Sequence, residues 1–403
     1  MSPLISPVHR SRSGRAPAGA LAVLLGVALL VPAASAAQII ARDVIGARRD
    51  SVVRVTSAPS VGYFYHGLPY GSDAYTGPAD VLLNKGFNMS QAANRDRRVL
   101  AAPYGTRHVL ESVFDPIGSI ERSGGWGVFV REQILPIQAV AWIRSGFDWG
   151  AADNMTWYPN YFGHMIEGGI SSRRLAEKLR SQGVPFASLF AGTTTMAAAV
   201  LNEMYTHPTL EHGTGGTVAD LYVFDLGGVI LFSNDAVARF FAETLHASVW
   251  SNQASLAVPS GELANNANNL VFKLPIPFVS RASLFLRTAV GSHVGATVHL
   301  SGGYDLSLGL GADTHRQNID PVTGKETVDI RPSASLYLDR GGSLLASIYW
   351  SRVDHRLLTV NVYPGVLHDG FGAWLLVTRD EGFQIGISHR SALGLGLGAE
   401  LAR

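Results

Sequence analysis

After the polar run Ser260 to Asn269, the side-chain pattern of this chain takes a period of two and keeps it almost to the C-terminus. Tyr304 to Asp313 alternates larger apolar residues with small or acidic ones. Leu336 and Leu338 alternate with Ser335, Tyr337 and Asp339, and Ile348 and Trp350 with Ser347, Tyr349 and Ser351. Leu358, Val360 and Val362 oppose Thr359, Asn361 and Tyr363, while Phe383, Ile385 and Ile387 oppose Gln384, Gly386 and Ser388. A strand throws successive side chains to opposite faces, so each segment has one oily face and one polar or small face. Ser301-Gly302-Gly303, Asp339-Arg340-Gly341-Gly342 and Arg379-Asp380-Glu381-Gly382 supply tight hairpin turns, and Thr314 to Thr327 reads as a longer polar loop. The pattern predicts about nine or ten antiparallel strands after Asn269, most of about 8 to 11 residues. At ~3.3 Å per residue and a tilt near ~45°, such strands cross an apolar band of ~25 Å.

Before Ser260 the period is helical. Val109, Leu110, Val113 and Phe114 recur at helical spacing up to Pro116, and Trp126 to Ile143 is apolar with a break at Pro136. Tyr158 to Gln182 predicts a helix closed by Gly183, Val184 to Tyr205 a second, Thr217 to Ser233 a third apolar segment, and Asp235 to about Val249 an amphipathic helix. Gly62 to Gly86 reads as loop with a short strand at Val81-Leu82-Leu83, and Val52 to Val55 as another. The fold class is therefore α+β: a mainly helical module over 37–260 followed by an antiparallel β-barrel of about ten strands over 268–403.

The N-terminus sets the compartment. Arg10, Arg12 and Arg15 precede the apolar run Leu21 to Val31, and Pro32-Ala33-Ala34-Ser35-Ala36 supplies small residues for cleavage. These three parts make a secretory signal over 1–36, with an uncleaved membrane anchor as the alternative. Its removal leaves 29 basic against 31 acidic residues, so no basic excess suits nucleic acid. The chain has 0 Cys, which excludes disulfides, thiolate metal sites and an N-terminal lipidated cysteine. Only 16% of residues are charged and 47% are hydrophobic, as expected of a protein that shows apolar surface to something other than water. Export and oily strand faces together point to the outer membrane, with membrane lipid as partner. Tyr304, Tyr337, Tyr349, Trp350, Tyr363, Phe371, Trp374 and Phe383 are candidates for its aromatic girdles. Outer-membrane barrels resemble one another in ending on an aromatic residue, from which Leu401-Ala402-Arg403 departs, and a soluble barrel or sandwich shares the alternation.

One group of polar residues interrupts the apolar helices: His164 and Glu167 on one helical face, Glu203, and Asp220 and Asp225. Buried carboxylates need partners, a metal or a proton. Three readings stand open. His164, Glu167 and Asp225, with Glu203 and Asp220, form a divalent-metal site of the imidazole–carboxylate type that suits Zn, Fe or Mn. Alternatively His164, Glu203, Asp220 and Asp225 are catalytic, the imidazole being a general base for hydrolysis or transfer, with Ser171, Ser188 and Thr193 to Thr195 as nearby hydroxyls. In the third reading they fix helix packing. His207, His212 and the run Gly213-Thr214-Gly215-Gly216-Thr217 are weaker ligand and anion candidates.

Tyr158-Pro159-Asn160-Tyr161-Phe162-Gly163-His164, Asn202-Glu203, Thr217 to Leu221 and Asp225-Leu226-Gly227-Gly228 together resemble bacterial envelope families with a YfiM-like or VanZ-like helical core. The resemblance covers about 158–233, and this chain lacks the lipidation Cys of the YfiM-type lipoproteins. It implies an envelope location and no particular chemistry or cofactor. The leading expectation is an outer-membrane barrel protein, structural or transport-related, with its helices at the rim or inside the barrel. The alternative is an envelope hydrolase or transferase acting on lipid or cell-wall substrate.

Overall fold

Residue pairs Gly302–Gly303 and Gly341–Gly342, all with positive φ, turn the chain back on itself in the C-terminal half, a backbone state that costs any residue with a Cβ. The computed structural model describes residues 62–88, 106–135, 158–206, 210, 212–258, 260–319, 326–353, 356–379, 382–390 and 395–401. The signal segment 1–36, the strand expected at Val52–Val55 and His207 lie outside the described residues.

Ten strands start with Asn268: β4 (Asn268–Ile276), β5 (Val279–Thr288), β6 (Gly291–His299), β7 (Tyr304–Ile319), β8 (Glu326–Arg340), β9 (Ser343–Val353), β10 (Arg356–Val362), β11 (Phe371–Val377), β12 (Phe383–His389) and β13 (Gly396–Leu401). They pair antiparallel, each with the next. Three earlier strands precede them: β1 (Ala247–Ser251), β2 (Ser255–Val258) and β3 (Leu263–Ala264). All belong to one 13-stranded sheet, in the order β1, β4 through β13, β2, β3. The sheet thus begins at 247, inside the stretch expected to be helical. Residues 260–269, expected to be a linker, instead form a turn, β3 and the first residues of β4. Two strand pairings override the local polarity: Asn268 and Asn269 sit opposite Ser251 and Trp250. The expected loop 314–327 is likewise mostly strand, since β7 and β8 stay paired to Ile319↔Glu326 beyond a bulge at Thr314/Arg316.

The two faces of the sheet differ in kind. Ser307, Thr297, Asp313, His293, Ser335, Asp339 and Asn361 are buried, while Leu308, Leu310, Val294, Ile387 and Leu397 on the other face are more than half exposed. The polar face is concave and meets itself across the sheet. Lys273 on β4 bonds Asp339 on β8 at 2.6 and 2.7 Å and Asp305 on β7 at 2.8 Å. Arg287 on β5 lies over the Tyr349 ring of β9, 4.8 Å from its centroid, and the Trp250 ring of β1 stands 5.4 Å from Tyr337 of β8. The imidazole of His293 hydrogen-bonds Ser333 and Ser335. Five aromatics expected in girdles (Tyr304, Tyr337, Tyr349, Tyr363 and Trp374) are buried. Their parity puts Tyr337, Tyr349, Tyr363 and Trp374 on the concave side, where Trp374 Nε1 donates to Ser255 Oγ at 2.8 Å, whereas Tyr304 shares the parity of Leu306 and is buried with the Arg340 guanidinium 4.9 Å from its ring centroid. Trp350, Phe371 and Phe383 do face outward.

The helices lie against the convex face of the first strands. Helix α1 runs Pro78–Asp80 and continues as Val81–Lys85, replacing the short strand expected there, because Val81 packs under Leu175, Leu179 and Ala198. Next come α2 (Thr106–Phe114), α3 (Pro116–Arg122), and α4 (Gly125–Phe129, extended by Val130–Ile134). Helix α5 joins Pro159–Glu167 to Gly168–Ser181, and Gly183 at φ 73° caps it. Helix α6 is Ala187–Thr206. Helix α7 joins Gly215–Val218, Ala219–Asp225 and Leu226–Ser233, and α8 joins Asp235–Arg239 to Phe240–Thr244. Ile170 of α5 and Phe232 of α7 pack with Phe64 on Ala247, Val249, Leu270 and Phe272. Helices α5 and α7 are thus outside the curve, where a rim or interior position was expected, while Tyr75 of the preceding segment lies inside it, packed with Trp250, Phe285, Tyr337 and Tyr363.

Charged groups sit in the middle of the helical layer. Glu177 accepts the backbone N–H groups of Tyr63, Phe64 and Tyr65 at 2.9 to 3.0 Å, and Arg173 bonds Glu177 and Asp235. Arg174 donates to the carbonyls of Val249 and Ser72 at 3.0 Å. The Val249 carbonyl lies in β1, the strand that ends the sheet order, so a guanidinium takes the place of a neighbouring strand. The segment Gly71–Tyr75, a single 3₁₀ turn, then reaches the sheet's β8–β9 and β10–β11 end through Gly71 N to Pro364 O and Asp73 N to Ser343 Oγ.

Lys273→Met leaves Asp339 buried without its cation. An urea-unfolding titration is expected to show a loss of about 3–5 kcal/mol, of which Lys273→Met/Asp339→Asn recovers most. Equal losses in the single and double variants would mean the ion pair is not what holds the concave face.

Candidate functional site

The site lies where α5, α6 and α7 approach most closely, and small residues permit the approach. A Cβ on Gly228 would stand 2.2 Å from the Met165 carbonyl oxygen, and one on Gly169 2.3 Å from the Phe232 ring. Gly168 has Lys85 Nζ and Asp225 Oδ1 at 2.9 and 3.3 Å from the same position. Backbones that come this near place side chains of three helices within bonding reach. The helices are also wound with π-type spacing where the polar residues sit: Val81–Lys85 carries Lys85, Pro159–Glu167 carries His164 and Glu167, and Ala219–Asp225 carries both aspartates. Such widened turns recur at functional sites, and this layer has two more among its described residues, Val130–Ile134 and Phe240–Thr244, away from these residues.

The resulting geometry is a chain of polar contacts. His164 Nδ1 lies 2.8 Å from Asp225 Oδ2, and Asp225 Oδ1 lies 3.1 Å from Lys85 Nζ. Lys85 also faces Glu167 Oε2 at 3.6 Å, while Glu167 Oε1 accepts from Ser171 at 2.7 Å and from Asn268 of β4 at 2.9 Å. At its other end, ligand atoms of His164, Glu203 and Asp220 all fall within 4.8 Å of one another. Asp225 and Glu203 are fully enclosed, and the His164 side chain keeps 13% exposure. The line of contacts therefore starts on the sheet and ends at a small, partly open group of one imidazole and two carboxylates.

Of the residues singled out in the sequence, His164, Glu203, Asp220 and Asp225 meet. Glu167 stands one step away, tied to Lys85, Ser171 and Asn268, and the set that converges has Glu203 and Asp220 in the places given to Glu167 and Asp225 in the smallest metal set. Lys85 was not foreseen; the only signal for it is a lysine closing the apolar run Val81-Leu82-Leu83. The hydroxyls considered as nucleophiles are engaged elsewhere: Ser171 on Glu167, Ser188 with Arg180, Thr194 and Thr195 on their own helix carbonyls. His212 is exposed, 3.6 Å from Glu111. The glycine-rich run before α7 offers its N–H groups to Glu111 and Ser123, which fills the cradle an anion would use.

Comparisons with family models, with curated proteins and with solved structures find no match.

Gly168→Ala forces Lys85 off Asp225 and is expected to lower stability by about 1–3 kcal/mol in chemical unfolding. Gly163→Ala, in the same helix with nothing within 4 Å of the new methyl, is expected to be neutral or to gain up to about 1 kcal/mol. Equal effects at the two positions would contradict the close approach.

Proposed function

We propose that this chain is an integral β-barrel protein of the bacterial outer membrane, with its helical layer held against the lipid-facing wall rather than inside. The observation that carries the reading is the inversion of polarity described above: over β6, β7, β8 and β12 the polar or small face is buried and the leucine, valine and isoleucine face is the exposed one. A water-soluble sheet has the opposite order, whereas a sheet with hydrocarbon outside and polar groups inside needs this one.

The register of the strands supports reading the sheet as a closed barrel. Pairing of β1 with β4 begins at Ala247↔Phe272, and pairing of β2 with β3 ends at Leu256↔Leu263 with no change of offset; Asn252 N to Ala267 O fills the interval. The four segments are then the two arms of one hairpin. The far edge of its first arm meets β13 at Gly396↔Ser255 to Ala399↔Val258. Two arms and the nine strands β5 to β13 make eleven. An up-and-down ring with an odd number of strands must join its first and last in parallel, and the β13–β2 pair is parallel.

On this reading the described part of the lumen is packed with side chains. A cavity of about 50 Å³ among Asn269, Arg287, Tyr349, Arg356 and Asn361 has room for a few waters. A structural or anchoring role for the barrel therefore suits the interior better than diffusion of a solute through it. The helices share the outward polarity: Phe186, Leu189 and Phe190 of the α6 entry and Ile230 of α7 are more than half exposed. The Gly215–Ser233 helix, 19 residues at mean hydropathy 1.4, is also long and apolar enough to cross a membrane. The second reading, an envelope enzyme working on lipid or cell-wall substrate, draws support from the convergence of His164, Glu203 and Asp220 beside that apolar surface.

Leu310→Arg tests the location. With the chain refolded in phospholipid vesicles, an outward leucine near mid-strand is expected to cost about 2–4 kcal/mol on replacement. A change inside about ±0.5 kcal/mol, the usual result for a surface position in water, would remove the membrane from the reading.

A further inference from the structure

We infer that His164, Glu203 and Asp220 bind one divalent transition-metal ion, and that Asp225 is a positioning residue which holds the imidazole for it. The three donors come from three different helices, α5, α6 and α7, and their ligand atoms lie within 4.8 Å of one another. Three ligands about 2.1 Å from a common ion stand about 3–4 Å apart, so small side-chain rotations complete the coordination. One neutral nitrogen and two carboxylates form the mixed donor set that Zn²⁺, Mn²⁺ and Fe²⁺ accept, and it is too poor in oxygen for Ca²⁺.

The surroundings are those of a metal site and go beyond a group of acids. The Nδ1 atom of His164 is 2.8 Å from Asp225, an aspartate with 0% side-chain exposure that is itself fixed by Lys85 at 3.1 Å. An Nδ1–H donated to that carboxylate sets the tautomer and leaves the Nε2 lone pair for the ion, the carboxylate–histidine–metal relay of protein zinc and iron sites. Asp225 Oδ2 is engaged by the imidazole, and the Lys85 ammonium 3.1 Å from Oδ1 balances the carboxylate's charge. His164, Asp220 and Asp225 all lie on π-type turns, as do the segments Val130–Ile134 and Phe240–Thr244 elsewhere in the layer. Glu203, on the α-helix α6, is buried at 1% exposure, whereas His164 and Asp220 are partly exposed, the side on which water or substrate oxygen would fill the ion's remaining positions. The inference concerns the helical layer alone and holds wherever the sheet resides.

The test uses the purified full chain in detergent, stripped with a chelator and desalted after incubation with Zn²⁺, Mn²⁺ or Co²⁺ in turn. Elemental analysis is expected to return one equivalent of ion per chain for at least one of the three, and the Co²⁺ form is expected to show ligand-field absorption. His164→Ala, Glu203→Gln and Asp220→Asn should each lose the ion. Asp225→Asn should keep it with about 10–100-fold weaker affinity, measured by competition with a chromophoric chelator. Glu111→Gln, which alters the exposed His212 pair on another part of the layer, should leave the stoichiometry at one. Far-UV circular dichroism identifies variants that fail to fold, and these are replaced by His164→Gln or Glu203→Ala. Less than about a tenth of an equivalent on folded wild-type chain overturns the inference. So does undiminished binding in the folded His164, Glu203 and Asp220 variants.

Discussion

The concave face of the sheet is held by charged and hydroxyl side chains bonded across it, and the rest of the architecture depends on that arrangement. Lys273 joins three strands through Asp305 and Asp339, and Arg287 and Arg356 flank the buried Asp313. Groups of this kind cost free energy to bury unless they find each other, so they specify curvature: only a strongly curled sheet brings β4 to β8 and β5 to β9. Once the polar residues are committed inward, period-two geometry sends Leu306, Leu308, Leu310 and their neighbours outward with no freedom to choose. The exposed apolar wall is thus the geometric counterpart of a polar interior.

The helical layer combines both kinds of burial. Arg173, Arg174 and Glu177 are buried in α5 beside Ile170, Leu175 and Ala176, which pack in apolar clusters with neighbouring elements. Arg174 and Glu177 give the N-terminal segment and the β1 edge their partners, so the same ions that fill the layer also attach it to the sheet. From Asn268 the contacts run through Glu167, Lys85 and Asp225 to His164. A change in the wall at β4 is in this way one short series of contacts from the imidazole, which ties the site's geometry to the fold's outer surface.

Much of this was legible in the chain, and the failures have physical causes. Alternation gave strand identity over β7 to β10 and β12 and the unlike faces of β7, β8 and β12, because side-chain parity is local, while the sheet has 13 strands where about ten were expected. It did not locate the start of the sheet: Ala247 to Val258 mixes parity with a helical neighbour, and the asparagines at 265–269 read as linker until their strand partners are known. It misplaced the tyrosines, since an aromatic ring carries the same label whether its hydroxyl is at an interface or bonded inside. In the helices, His164, Glu203, Asp220 and Asp225 stood out as polar residues in apolar runs, and they do meet. Glu167 stood out equally but bonds Asn268, a partner about 100 positions away that no periodicity reveals. Lys85 was hidden because its helix is created by packing under α5 and α6 rather than by its own sequence.

The central claim, that lipid covers the convex face and polar side chains fill the concave one, has a direct test in a chain that contains no cysteine. Single cysteines at positions 306 to 311, each carrying a nitroxide label in a chain reconstituted in vesicles, report collisions with dissolved oxygen and with a water-soluble nickel chelate. Oxygen accessibility that rises and falls with a period of two, highest at 306, 308 and 310 with the chelate excluded throughout, is the result the account predicts. Chelate accessibility that peaks at those same three positions would contradict it.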